Sequence, residues 1–196
     1  MYTARTGLTL GFHGTDASIV EKVLTGQAEL EARNNPYDWL GNGIYFWDNS
    51  PSRALQWATE LSQRPGSNIR QPAVIGVILD LGNCLDLLDY DNLEYLKSAY
   101  RLLQTSLETS ATKLPRNRGR TADLLLRELD CAVIEMLHTS FEEENRPAFD
   151  SVRGVFWEGE PIYETAGFRE KNHIQICVRN LDCIKGYFLP LPRITS

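Results

Sequence analysis

Positions 73–79 read Ala-Val-Ile-Gly-Val-Ile-Leu, a nearly continuous run of Val, Ile and Leu. A run this short and this rich in β-branched residues is expected of a strand in the middle of a sheet. Shorter apolar runs supply candidate neighbours. The segment 8–13 ends at Gly14 and reads as a strand feeding a turn. The segment 41–47 carries two glycines and then Ile-Tyr-Phe-Trp, so it reads as a loop entering a strand. Further strands are expected at 83–88, 152–157, 174–178 and 184–189. Between them, Asp16 or Ser18 is placed to cap a helix whose apolar residues Ile19, Val23 and Leu24 fall at helical spacing, with Gly26 to end it. Ser50-Pro51 opens a second helix through Ala54, Leu55 and Ala58. Two longer helical patterns, 93–107 and 122–137, contain no Gly or Pro and flank the basic stretch 113–120. They predict a helix–loop–helix unit inserted at about 90–148. The expected architecture is α+β, a mostly antiparallel core in a single domain with helices packed around it.

The chain of 196 residues is long enough for one domain with a sizeable core. No apolar run has the length of a membrane span, and the first residues lack the basic-then-apolar layout of a signal peptide. The expected location is the cytoplasm. Cys84, Cys131, Cys177 and Cys183 form no CxxC pair and sit in apolar contexts, so buried thiols are expected rather than a metal site. A net charge of −6 argues against bulk electrostatic binding of nucleic acid, although it leaves room for a local basic patch.

Three segments carry the candidate chemistry. They are His13-Gly14-Thr15, Gly41-Asn42-Gly43-Ile44-Tyr45-Phe46, and Gln175 within the strand that begins at His173. In this order they resemble the poly(ADP-ribose) polymerase-like ADP-ribosyltransferases. That family has His-Gly-Ser/Thr, then Gly-x-Gly-Ile-Tyr-Phe, then a late strand carrying Glu. The resemblance extends over residues 8–90, resumes more faintly at 173–188 and does not cover 91–150. It implies a split antiparallel sheet, NAD⁺ as co-substrate and no metal. It further implies that His13 hydrogen-bonds a hydroxyl of the adenine-side ribose, that the Gly14 backbone grips the nicotinamide carboxamide, and that Tyr45 stacks on the nicotinamide ring. Thr15 belongs to the same cofactor-binding segment. The family's carboxamide-binding Ser falls near Ser52 or Arg53, and its second aromatic near Trp57, each with a one-residue shift.

Breaking the bond between nicotinamide and ribose builds positive charge on the sugar, as in glycoside cleavage, so a nearby carboxylate is valuable. The resemblance puts Gln175 where chain-elongating members carry that Glu. A carboxamide offers hydrogen bonds but neither negative charge nor a base. The implied reaction is therefore transfer of a single ADP-ribose unit. Glu164 and Glu170, on the loop before the strand, are the candidates for a replacement carboxylate. His173 lies two residues before Gln175, on the same side of the strand, and is a candidate for contact with the acceptor. Segment 34–39, with Tyr37 and Trp39, is expected to wall the cofactor. The stretch bearing Arg116, Arg118 and Arg120 is either a contact for a nucleic-acid or acidic protein acceptor or a solvated loop.

Gly41-x-Gly43 lacks the third glycine of a dinucleotide fingerprint and does not open a helix straight after a strand, which disfavours Rossmann chemistry. The leading expectation is a mono-ADP-ribosyltransferase acting on a macromolecule, protein or nucleic acid. A toxin or phage-defence effector restrained by an antitoxin protein is the context it implies. A catalytically silent NAD⁺- or ADP-ribose-binding module and an NAD⁺ glycohydrolase remain alternatives.

Overall fold

The computed structural model describes residues 7–191. Seven strands and four helices follow one another as β1 (Thr9–Asp16), α1 (Ala17–Leu24), β2 (Ile44–Asp48), α2 (Pro51–Ser62), β3 (Pro72–Leu79), β4 (Cys84–Asp86), α3 (Tyr90–Thr109), α4 (Glu128–Glu143), β5 (Ser151–Phe156), β6 (His173–Val178) and β7 (Ile184–Phe188). The strands join in the order β4-β5-β6-β2-β1-β3-β7, antiparallel at every junction except β4–β5. The expected α+β class is what the chain adopts.

The apolar run is β3. It pairs on both edges, with β1 and with β7, and its Ile75, Val77 and Leu79 are fully buried. Burying side chains of this size contributes roughly 1.5–3 kcal/mol each. On one face of the sheet, Ile44, Phe46, Ile75, Val77, Ile176 and Val178 pack under α1. On the other face, Leu85, Val152 and Cys177 are covered by α3 and α4. Phe12 and Trp47, further along that face, are covered by Ala54 of α2.

The helical unit between β4 and β5 is therefore a layer of the core, linking the one parallel pair of strands. Its second helix begins later than its periodicity predicts, at Glu128. Residues 122–127 instead form a turn, with Leu124 at φ 47° and Leu126 paired to Arg118. Arg127, at the helix N-cap, makes no side-chain cap bond; the side-chain Oδ1 of Asn117 accepts from the amides of Leu129 and Asp130 at 2.9 and 3.2 Å. A helix start supplied from eleven residues upstream leaves no local signature.

The seven strands join in one sheet. Its narrowest junction lies between β1 and β2. β1 stays in register with β3 from Thr9↔Leu79 to Asp16↔Pro72, but meets β2 only at Gly11↔Asp48 and Phe12↔Trp47. Beyond Phe12 the facing edges of the two strands are unpaired, and the first two sequence motifs lie at this break.

Candidate active site

His13 sits where the ladder stops. Its Nδ1 lies 2.8 Å from the carbonyl of Tyr45, a side-chain bond in place of the next backbone one. Because the partner is an acceptor, Nδ1 carries the proton, and Nε2 is left as an acceptor suited to a hydroxyl. Burial, opposed by the Tyr45 bond and assisted by the Arg33 charge, holds the pKa of His13 below its ordinary value.

Gly14 follows. A Cβ there would lie 2.2 Å from the carbonyl oxygen of Ala54 and 3.1 Å from the Cβ of Ala58. The glycine is thus required by α2 lying against β1, a packing reason for a residue that the resemblance assigns to cofactor binding. Thr15 continues β1 beside Ala73 and is half-buried.

Tyr45 and Gln175 lie on adjacent strands and on one face, since Tyr45 pairs with Cys177 and Trp47 with Gln175. The Tyr45 hydroxyl donates to the carbonyl of Gly41 at 2.8 Å and accepts from the amide of Leu40 at 2.9 Å. Burial, together with the nearby Cys177, raises its pKa well above normal, so the phenol stays protonated. Gln175 accepts at Oε1 from the indole Nε1 of Trp39, which also packs edge-on against Phe156. The 34–39 segment is therefore fastened over β6 and β5 by Trp39. His13 follows Phe12, the partner of Trp47, so by the pleat its ring emerges towards Phe46, 5.9 Å away and edge-on. Tyr45 and Gln175 share a face; His13 reaches Tyr45 through the backbone at the break between strands.

Of the two candidates at the start of α2, Ser52 is exposed and Arg53 is buried. Arg53 Nη2 donates to Glu158 Oε2 at 2.7 Å, and its guanidinium lies 5.9 Å from the Trp47 ring. Trp57, one turn on, packs 5.5 Å from Trp47. Trp57, the second aromatic expected after the Tyr45 motif, thus lies against Trp47, and the inward polar residue at the start of α2 is arginine.

His173 is buried at the other end of β6. Its ring stacks on Phe156 at 5.4 Å and tilts towards Trp47 at 6.3 Å. Nδ1 donates to the carbonyl of Lys171 at 2.6 Å, which leaves Nε2 as a buried acceptor without a partner. Burial brings its pKa down to about 4, so the ring is neutral.

Glu164 and Glu170 are both exposed on the loop. The buried carboxylate is Glu158, two residues beyond β5, which sequence reasoning did not single out. Its partners Arg53 and His173 are 105 and 15 positions away, so no local pattern announces it. Arg118 is an exposed partner of Glu128, while Arg116 and Arg120 are exposed. The residue that this region brings to the site margin is Arg127, whose guanidinium lies 4.9 Å over Phe156. Next to it, Asp123 accepts from the amide of Gly159, and Thr121, Asp123, Trp157 and Arg169 line a small cavity of about 70 Å³.

Four atoms of this aromatic face are buried without hydrogen-bond partners: Trp47 Nε1, Arg53 Nε, Arg53 Nη1 and His173 Nε2. Each such atom costs about 1–3 kcal/mol if left unmatched, so their grouping marks a place suited to a polar ligand. Among the described residues, no group of three or more His, Cys, Asp or Glu is arranged to hold a metal ion, and no helix is long and apolar enough to cross a membrane. Comparison with protein-family models, with curated proteins and with solved structures found no match to this chain.

Proposed function

We propose that the chain is an NAD⁺-dependent mono-ADP-ribosyltransferase with a macromolecular acceptor. The observation that carries this reading is the cluster of unmatched atoms on Trp47, Arg53 and His173, set in an aromatic wall beside Tyr45 and Gln175. A dinucleotide combines flat aromatic rings with anionic phosphates and sugar hydroxyls. Indoles suit the rings, guanidinium N–H groups suit the phosphates, and neutral imidazole acceptors suit the hydroxyls. The residues present therefore fit NAD⁺. Tyr45, Trp47, Arg53, Trp57 and His173 would hold it, with His13 meeting it only from the break between β1 and β2, and when bound it supplies an activated glycosidic bond. Trp39 and the 34–39 segment shield the face from water.

The Trp39–Gln175 bond favours a second reading, a module that binds NAD⁺ without turnover, because it commits the Gln175 oxygen to the protein. Incubating purified protein with NAD⁺ labelled in the adenosine half, alone and with cell extract, separates the possibilities. Label on macromolecules supports transfer, free ADP-ribose supports hydrolysis, and binding without either supports the silent module. Tyr45→Ala is expected to abolish NAD⁺ binding and turnover together. If Tyr45→Ala, shown to be folded, binds NAD⁺ as well as the wild type, the reading fails.

A further inference from the structure

We propose that Glu158 is the carboxylate that accepts the proton of the incoming nucleophile, with Arg53 and Lys171 holding it in position. The inference rests on the transfer reading above and adds to it the base. In that reaction the bond between the nicotinamide nitrogen and ribose C1′ breaks, and its electron pair leaves with nicotinamide. An oxygen or nitrogen of the acceptor bonds to C1′ and must give up a proton. Position 175 cannot take it, because a carboxamide is not a base and its oxygen already accepts from Trp39. Here the proton passes to the Glu158 carboxylate and from there to solvent, and nothing is oxidised or reduced.

Three observations point to Glu158. It is the one buried carboxylate among the described residues. It lies on the correct side: Phe156, two residues earlier, pairs with His173, and the chain folds so that Glu158 Oε2 comes within 4.0 Å of His173 Nδ1. His173 in turn is two residues from Gln175 on the same face of β6. The carboxylate thus approaches, from the loop after β5, the region where β6 supplies no charge. Finally, its ion pair is not finished in the way a purely structural one should be. Arg53 spends Nη2 on Glu158 but keeps Nε and Nη1 buried without partners, and Trp47 Nε1 and His173 Nε2 border the same pair. Two donor groups and an acceptor around a single carboxylate match a substrate that brings hydroxyls and phosphate oxygens of its own.

The charged and titratable groups facing Glu158 come from α2, from the segment before β6 and from β6 itself. Arg53 approaches from α2. Lys171 precedes β6, with Nζ 3.9 Å from Glu158 Oε1 and 2.9 Å from Glu60 of α2. His173 approaches from β6 and is neutral. Lys171 bridges Glu60 and Glu158 and so ties the loop to α2; it and Arg53 are positioning residues.

The test measures nicotinamide release from NAD⁺ by the purified full chain with cell extract supplying the acceptor, corrected for release by the extract alone, and NAD⁺ affinity by calorimetry on the purified full chain. Glu158→Gln is expected to lower release about 100-fold while NAD⁺ affinity stays within about threefold. Added formate should restore part of the rate of Glu158→Ala, which a merely structural role would not allow. Release by a folded Glu158→Gln within about threefold of wild type overturns the proposal; so does a loss accompanied by lost affinity and unrelieved by formate. Should both variants fail to fold, Glu158→Asp decides, since it keeps the ion pair and withdraws the carboxylate by one methylene: a slower rate at unchanged affinity supports the base, an unchanged rate removes it. A wild-type chain that binds no NAD⁺ ends the transfer reading itself, whereas an active wild type with an equally active Glu158→Gln ends only this one.

Discussion

The indole of Trp39 donates from Nε1 to Oε1 of Gln175 at 2.7 Å, joining residues 136 positions apart. An indole N–H is only a donor, so the contact fixes which way the carboxamide points: oxygen towards Trp39, NH₂ away. Position 175 therefore offers donors, where a glutamate would offer charge. The same bond fastens the 34–39 segment across β5 and β6.

Removing that donor should be felt in stability. Trp39→Phe keeps an aromatic ring against Phe156 but leaves the Gln175 oxygen without its partner. A loss of about 1 kcal/mol is expected, read from the urea midpoint at unchanged slope. An unaltered midpoint would mean that the bond does not form in solution.

Tyr45 has two separable parts. Its hydroxyl closes the turn at Leu40 and Gly41, and its ring is the surface proposed for nicotinamide. Tyr45→Phe should lower stability by about 1–3 kcal/mol, because the Leu40 amide and Gly41 carbonyl lose their common partner. It should leave NAD⁺ affinity close to wild type, in contrast to Tyr45→Ala. Calorimetric titration alongside urea unfolding checks both halves of the expectation.

Gly14→Ala should be among the most damaging single-methyl additions in the chain. The new Cβ meets backbone, the Ala54 carbonyl at 2.2 Å, so α2 must move away from β1. A loss of about 3 kcal/mol, at the upper end for overpacking, is expected, with a lower melting temperature. Arg53 and Trp57 ride on α2, so NAD⁺ binding should weaken with it.

The three histidines make the fold sensitive to mild acid. Burial lowers His173 and His138 to about 4, with Arg179 adding to the effect at His138, and burial also lowers His13. An unfolded histidine takes up its proton near the ordinary value of 6.5, before these folded ones do. Protonation therefore favours the unfolded chain. Stability is intact above pH 6.5 and falls as the pH drops from 6.5 towards 4, by at most about 3 kcal/mol for each of His173 and His138. His138→Leu should flatten the fall by one histidine's share in urea titrations taken between pH 7 and 4. An equally steep fall in that variant would locate the sensitivity elsewhere.

Much of the scaffold was legible because it depends on neighbours in sequence. The β3 run, the Asp16 or Ser18 cap signal for α1 and the Ser50-Pro51 opening of α2 are local, and the elements start within a residue of where they point, with Asp16 as the cap of α1. The helix expected from 122 starts at Glu128 because its cap, Asn117, belongs to the preceding loop. At the site, His13 and Tyr45 are joined as two adjacent strands allow. Arg53 and Glu158 were not paired in advance, since each is an ordinary charged residue until the fold removes both from water.

Periodicity, turn residues and caps were enough to determine the α+β class and the alternation of strands and helices, because those preferences are spent within a few residues of backbone. Only the tertiary structure decided the strand order, the break between β1 and β2, and which carboxylate is buried. Those depend on which surfaces lose water together, and segments far apart in the chain settle that jointly.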